Sequence, residues 1–142
     1  MLEFVLNCEP PKHTAQGSST VLKNFKTGKF FIGKKNNSNA TQTKNELIAL
    51  LTPFIPETML LGALKCEIEL VFSWRKSETK KNIAKGSMPM TVKPDLDNWC
   101  KMFFDCLTRL AFWKDDAQIS ELKVSKKYGD KPMIKVRIEE IN

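Results

Sequence analysis

Four aspartates fall in two short segments whose spacing suits the binding of a cation. Asp95 and Asp97 lie two residues apart in the run KPDLDN, and Asp115 and Asp116 are adjacent in the run KDDA. Carboxylates that are brought together repel one another and raise each other's pKa, so such a group usually needs a divalent cation to neutralise it. Ligands that are all oxygen favour Mg²⁺ or Mn²⁺. The two segments therefore predict a metal site if the fold brings them together.

The first acidic pair stands where a loop turns into a helix. Apolar residues recur at intervals of three and four over residues 96–110, and Pro94 with Asp95 supplies the start signal. Asp97, Lys101 and Asp105 follow at steps of four along one strip of this helix. Asp105 lies about 12 Å from Asp97 at a rise of ~1.5 Å per residue, too far to bind the same ion. We expect it to orient Lys101 or to bond a neighbouring element.

Each acid also has a purely structural explanation. Asp95 would serve as an N-cap, Asp97 would form a helix ion pair with Lys101, and Asp115 with Asp116 would form a turn. Clustered acids on a basic chain nevertheless need explaining, because they repel the phosphates that the rest of the surface attracts. A bridging metal ion removes that conflict.

The charge balance favours a polyanionic partner. The 142 residues include 23 Lys and Arg against 16 Asp and Glu, a net charge of +7. The stretch 75–93 is rich in lysine and is interpreted as a basic loop rather than a packed element. Our candidates for phosphate contacts combine this loop with lysines near the C-terminus: Lys76, Lys80, Lys81, Lys85, Lys93, Lys123, Lys126 and Lys127.

Composition also argues against several other classes. The four cysteines form no CxxC pair and the single histidine is far from any paired ligand, so a zinc site is not expected. The N-terminal residues do not resemble a signal peptide, and no stretch approaches the length of a membrane span. We expect a cytoplasmic protein with reduced thiols and no membrane partner.

The remaining patterns predict one α+β domain over residues 1–142, a mixed sheet covered by about two helices. Thr43 and Glu46 have the spacing of a capping box for the first helix. The predicted helices cover residues 43–55 and 96–110, and the predicted strands cover residues 2–7, 29–33, 64–74, 119–124 and 133–141.

The runs KPDLDNWCKMFFDCLT and FWKDDAQI resemble the RusA-like Holliday junction resolvases of bacteria and their phages. The agreement in order and spacing extends over about thirty residues. The resemblance implies a RusA-like fold and a Mg²⁺-dependent, or Mn²⁺-dependent, endodeoxyribonuclease acting in DNA recombination and repair. The resemblance also implies that Asp95, Asp97 and Asp116 bind the metal ions, that Asp115 contributes to the same metal site, and that Lys101 is the essential lysine of that site.

The resemblance further implies a homodimer that nicks two symmetry-related strands of a four-way DNA junction. Two alternatives stay open at this point. The same site could cut other branched DNA, such as flaps and forks, or the chain could be a DNA-binding module without catalysis whose acids only cap and pair.

Overall fold

A mixed five-stranded sheet forms the frame of the protein. The computed structural model describes residues 1–14, 19–23, 26–34 and 38–141, with the side chains of 19–23, 31–34 and 38–40 outside the description. The helices and strands are, in chain order, β1 (Leu2–Leu6), β2 (Ser19–Lys23), β3 (Phe30–Lys34), α1 (Ser38–Leu51), β4 (Ala63–Ser73), α2 (Lys80–Ile83), β5 (Ser87–Pro89), α3 (Leu96–Arg109), β6 (Ile119–Gly129) and β7 (Met133–Ile141).

The strand order in the sheet is β1-β7-β4-β6-β5. Strands β4 and β6 are parallel, and the other neighbours are antiparallel. A parallel pair needs a crossover connection, and the chain between β4 and β6 contains α2, β5 and α3. Strands β2 and β3 form a separate antiparallel pair. The arrangement confirms the predicted α+β class with a mixed sheet, and α1 and α3 are its two long helices.

The core lies on one face of this sheet. Alternate residues of β4 are buried there, from Leu64 to Phe72, as the period of a half-buried strand requires. Helix α3 contributes seven buried residues to the same core, among them the fully buried Trp99 and Phe103, whose rings stack with centroids 4.8 Å apart. The opposite face of the sheet is charged and carries residues such as Glu67 and Lys135. The packing of these buried residues against the sheet therefore holds α3 in place.

The predicted start of one helix and the predicted end of one strand were wrong. Helix α1 begins at Ser38, so Thr43 lies inside the helix and does not cap it. No Gly or Pro interrupts residues 38–42, and the helix therefore extends in the N-terminal direction. Strand β6 continues to Gly129, five residues beyond its predicted end, because pairing with β4 persists to that residue.

The stretch 75–93 is more ordered than a loop. It contains the short helix α2, whose N-cap Thr79 accepts a hydrogen bond from the Asn82 N–H, and the strand β5. Gly86 between them has a φ of 85°, a conformation that favours glycine. The Arg75 guanidinium bonds Glu78 at 2.9 Å, which fixes the start of the segment.

Burial controls the chemistry of the cysteines. All four are free thiols, and burial raises the pKa of Cys66 to about 12 and that of Cys100 to about 11. Because the thiolate is the reactive form, we expect Cys66 and Cys100 to resist a thiol reagent such as DTNB at pH 8 while Cys8 reacts slowly. All four should react at once in guanidinium chloride. Rapid reaction of Cys66 in the native protein would contradict this prediction.

In the described part of the chain, none of the helices is long and apolar enough to cross a membrane.

Candidate functional site

The start of α3 presents two exposed carboxylates. Asp95 is the N-cap residue, with φ −69° and ψ 139°, but its side chain makes no capping hydrogen bond. Its described contact is a long 3.5 Å hydrogen bond from Asn98 Nδ2. Asp97 is exposed in the first turn, and no ion pair joins it to Lys101 in the described structure. The simpler explanations of both acids, a side-chain cap and a helix ion pair, are therefore not what the structure contains.

The second acidic pair forms a capped 3₁₀ turn, Asp116–Gln118. Asp115 accepts the Ala117 N–H at 2.9 Å, and this bond together with one from Asp116 lowers the pKa of Asp115. Partial burial and the adjoining Asp115 carboxyl raise the pKa of Asp116, with a smaller contribution from Asp105. Asp116 is consequently the member of the pair that keeps its proton to higher pH.

Gln118 holds this turn in place, a role that the sequence reasoning missed. Its Oε1 accepts the N–H groups of Lys114 and Asp115 at 3.0 and 3.1 Å. Its Nε2 donates to the carbonyls of Leu60 and Gly62 at 3.3 and 3.0 Å. The spacing D-x-x-Q is that of a capping box and could have revealed this function.

Lys126 holds the segment that leads into α3. Its Nζ donates to the carbonyls of Val92 and Pro94 at 2.6 and 2.7 Å, directly before Asp95. Pro94 is buried, and the peptide bond between Lys93 and Pro94 is cis. The Lys126 ammonium, which was predicted to contact phosphate, is therefore bound to two backbone carbonyls. Through them it positions the segment that leads into Asp95.

In the described structure no ion pair joins Lys101 to Asp105. Lys101 is exposed one turn after Asp97. Asp105 accepts a 2.7 Å bond from Lys44 Nζ of α1 and lies 3.5 Å from Arg109. Of the two roles expected for Asp105, the structure shows the bond to a neighbouring element, and Lys101 is left facing solvent.

The structure places the four predicted acids in two local pairs. Within the described ranges, no three His, Cys, Asp or Glu side chains form a group that could hold a metal ion. The acids that affect the pKa of Asp116 are Asp115 and Asp105, not those at the start of α3.

The lysines predicted to contact phosphate fall into two groups, those with a partner in the described structure and those without. Lys127 pairs with Glu69 at 2.7 Å on the charged face of the sheet, and Lys126 is occupied as described. The others are exposed and, in the described structure, make no ion pair: Lys76, Lys80, Lys81, Lys85, Lys93 and Lys123. Most of the free cations therefore lie on the segment that precedes Asp95.

Comparison with known proteins identifies a family and several relatives. The family described as "Endodeoxyribonuclease RusA" matches residues 14–139. The chain is 36% identical over 92 residues to an uncharacterized protein, YqaN, of Bacillus subtilis. The matched region covers 61% of this chain and 64% of that protein. It is 39% identical over 51 residues to a crossover junction endodeoxyribonuclease of Lactococcus phage r1t, covering 36% of this chain and 39% of the relative.

A third relative, the crossover junction endodeoxyribonuclease RusA of Escherichia coli K12, is 49% identical over 39 residues, which are 28% of this chain and 32% of the relative. The chain thus spans less than two thirds of the length of each of these relatives.

The fold and the site define a small α+β domain that presents exposed acids beside a lysine-rich surface. The match over residues 14–139 covers most of the 142 residues. The chain belongs to the RusA endodeoxyribonuclease family.

Proposed function

We propose that this protein is a metal-dependent endodeoxyribonuclease that resolves four-way DNA junctions by paired symmetric nicks. The observation that carries the proposal is the start of α3, where Asp95 and Asp97 are free of capping and ion-pair partners beside the exposed Lys101. An acid in the first turn can stabilise a helix through the helix dipole alone, but both carboxylates are exposed and remain accessible to a cation. Membership of the family and the names of two relatives, crossover junction endodeoxyribonucleases, support the same reaction.

The proposed ligands of the metal are Asp95, Asp97 and Asp116, with Asp115 contributing. Their chemistry fits Mg²⁺, or Mn²⁺, because every donor is a carboxylate oxygen. The raised pKa of Asp116 also fits: burial is its largest cause and Asp115 and Asp105 add to it, and a cation would stabilise the ionised carboxylate against all three. When bound, a divalent ion would activate water and neutralise charge on the phosphate. In the described chain these acids lie in two separate pairs. The proposal therefore requires that both pairs act at the same site on the bound DNA.

The remaining residues bind and orient the DNA. Lys101 is proposed to donate a charge-assisted hydrogen bond to the scissile phosphate or the leaving oxygen. The exposed lysines of the segment 75–93 would contact neighbouring phosphates and read the shape of the branch, not its base sequence. Affinity should then fall steeply with salt.

The proposed homodimer has a candidate surface at the edge of β6. Strand β5 covers this edge only at residues 127–129, and the Met90 N–H donates to the Lys126 carbonyl at 3.4 Å. Residues 119–125 have no strand partner on that side among the described elements. The backbone carbonyl of Lys126 points to the side of β6 on which β5 lies. Because backbone groups alternate in direction along a strand, the N–H and C=O groups of the other even-numbered residues of β6, including Leu122, point to the same open edge. Such an edge can pair with a second strand.

A second copy of this chain is complementary to that edge. Leu122 stands at the centre of residues 119–125 and is 49% exposed. A two-fold axis at Leu122 would pair the two strands antiparallel and set Glu121 opposite Lys123 of the partner subunit. Both Glu121 and Lys123 are exposed.

We therefore expect Lys123→Glu to weaken dimerisation by about tenfold, because it places like charges opposite each other on both sides of the axis. The double variant Glu121→Lys with Lys123→Glu should restore the dimer. Analytical ultracentrifugation over a concentration series measures the dissociation constant. Lys135→Glu, on the charged sheet face away from the edge, is the matched control. A double variant that stays as weak as the single one would exclude this pairing.

The activity itself is tested with a labelled four-way junction, a flap, a fork and a linear duplex, compared at equal salt with Mg²⁺ or EDTA. Symmetric nicks in the junction that require the metal support the proposal. Preferred cleavage of the flap or fork would instead support a nuclease for other branched DNA. Binding without cleavage of any substrate would leave a DNA-binding module.

A further inference from the structure

A concave groove lies beside the proposed site and is not explained by it. Its volume is about 340 Å³, and the lining residues used below are Lys12, Trp74, Arg75, Lys76, Lys93 and Tyr128. We call it the Trp74 groove. Lys93 is part of the segment held by Lys126 and lies two residues before Asp95. The groove and the start of α3 are therefore connected by a fixed stretch of backbone.

The aromatic part of the groove is held rigidly. The rings of Trp74 and Tyr128 stack with centroids 6.0 Å apart and planes 19° from parallel. The indole N–H of Trp74 donates to Asp130 at 2.9 Å, and the Arg75 guanidinium lies 5.2 Å from the centre of the Tyr128 ring. Tyr128 is only 4% exposed, whereas Trp74 is half-buried. Trp74 is thus the ring that a ligand in the groove can reach.

The charged part of the groove is positive only. Its lining includes Lys12, Arg75, Lys76 and Lys93 but no Asp or Glu. Arg75 is partly neutralised by Glu78, whereas the three lysines make no ion pair in the described structure. A fixed indole beside free ammonium groups is the combination that binds single-stranded nucleic acid, since a base stacks on the ring while cations bind its phosphates.

We propose that the Trp74 groove binds an unstacked nucleotide of the DNA substrate, with its base stacked on Trp74 and its phosphates near Lys12, Lys76 and Lys93. The proposal rests on the proposed function, because a branched junction is the substrate in which a base would leave the helical stack beside the scissile strand. Stacking on Trp74 would add a contact to the base itself, without sequence preference. The other contacts proposed for this surface are to phosphates.

Tryptophan fluorescence tests the stacking directly. Trp99 and Trp113 are 0% exposed, so quenching by DNA reports on Trp74. The protein is titrated with oligo(dT) at low salt without divalent metal, and in parallel with an abasic oligonucleotide of equal length. We expect oligo(dT) to quench the emission and to bind about tenfold more tightly than the abasic strand. Equal quenching and equal affinity for the two strands would overturn the proposal.

Variants separate stacking from folding and from catalysis. Trp74→Leu should remove the quenching and the preference for oligo(dT), as measured by fluorescence anisotropy of labelled strands. Trp74→Phe should keep most of that preference, because it retains a ring. Lys135→Ala, a cation on the opposite sheet face, should keep both. A Trp74→Leu variant with the full preference would contradict the proposal. None of these readouts requires cleavage, so a failure of nuclease activity is distinguishable from a failure of stacking.

Discussion

Asp97→Asn is expected to slow cleavage of a four-way junction by about a thousandfold while leaving binding of the junction intact. Asp97 has no ion pair in the described structure and is exposed, so the amide removes a charge without breaking a described structural contact. Loss of that charge should weaken the proposed metal site. The measurement is single-turnover cleavage of labelled junction in Mg²⁺, with junction affinity determined separately in Ca²⁺.

Asp105→Asn provides a matched control on the same helix. Asp105 is bonded to Lys44 and lies near Arg109, so its replacement should lower thermal stability through the loss of these pairs, with little effect on cleavage. If Asp97→Asn and Asp105→Asn reduced cleavage equally, the effect would not be specific to Asp97, and the assignment of Asp97 as a metal ligand would lose its support. If Asp97→Asn cleaved at the wild-type rate, the assignment of Asp97 would be wrong.

Lys126→Met is expected to reduce cleavage by about a hundredfold, the second largest effect, because it releases the backbone that positions Asp95. The ammonium of Lys126 now satisfies the carbonyls of Val92 and Pro94 at 2.6 and 2.7 Å. Methionine keeps the length of the side chain but cannot donate to them. Single-turnover cleavage should therefore fall much more than junction affinity, which loses at most one cation.

Lys127→Met separates this positioning role from a simple phosphate contact. Lys127 is the next residue of β6 and pairs with Glu69 on the other face of the sheet. Its replacement should leave cleavage within about threefold of wild type, as for an exposed ion pair. A Lys126→Met variant that lost affinity and cleavage in the same proportion would instead support the phosphate contact predicted from the sequence.

Local periodicity was sufficient to predict most of the secondary structure. The alternation in β4, the apolar stripe of α3 and the two C-terminal strands follow from how each element buries one face, and the sequence ranges agree closely with those of the structure. The acidic motifs, too, are short runs that can be recognised from residue type and spacing. Helix α1 was placed too late because Thr43 offered a local cap that the backbone does not use.

Contacts between distant residues could not be predicted in this way. Lys126 and Pro94 are 32 residues apart, and Lys44 and Asp105 are 61 apart. A lysine in a sequence can face solvent, phosphate, carboxylate or carbonyl, and the choice depends on which groups the packed sheet and helices bring within hydrogen-bond distance. The open edge of β6 and the Trp74 groove arise from the same packing. The types of chemical group were therefore readable from the chain, whereas their partners depended on long-range packing, which local spacing does not encode.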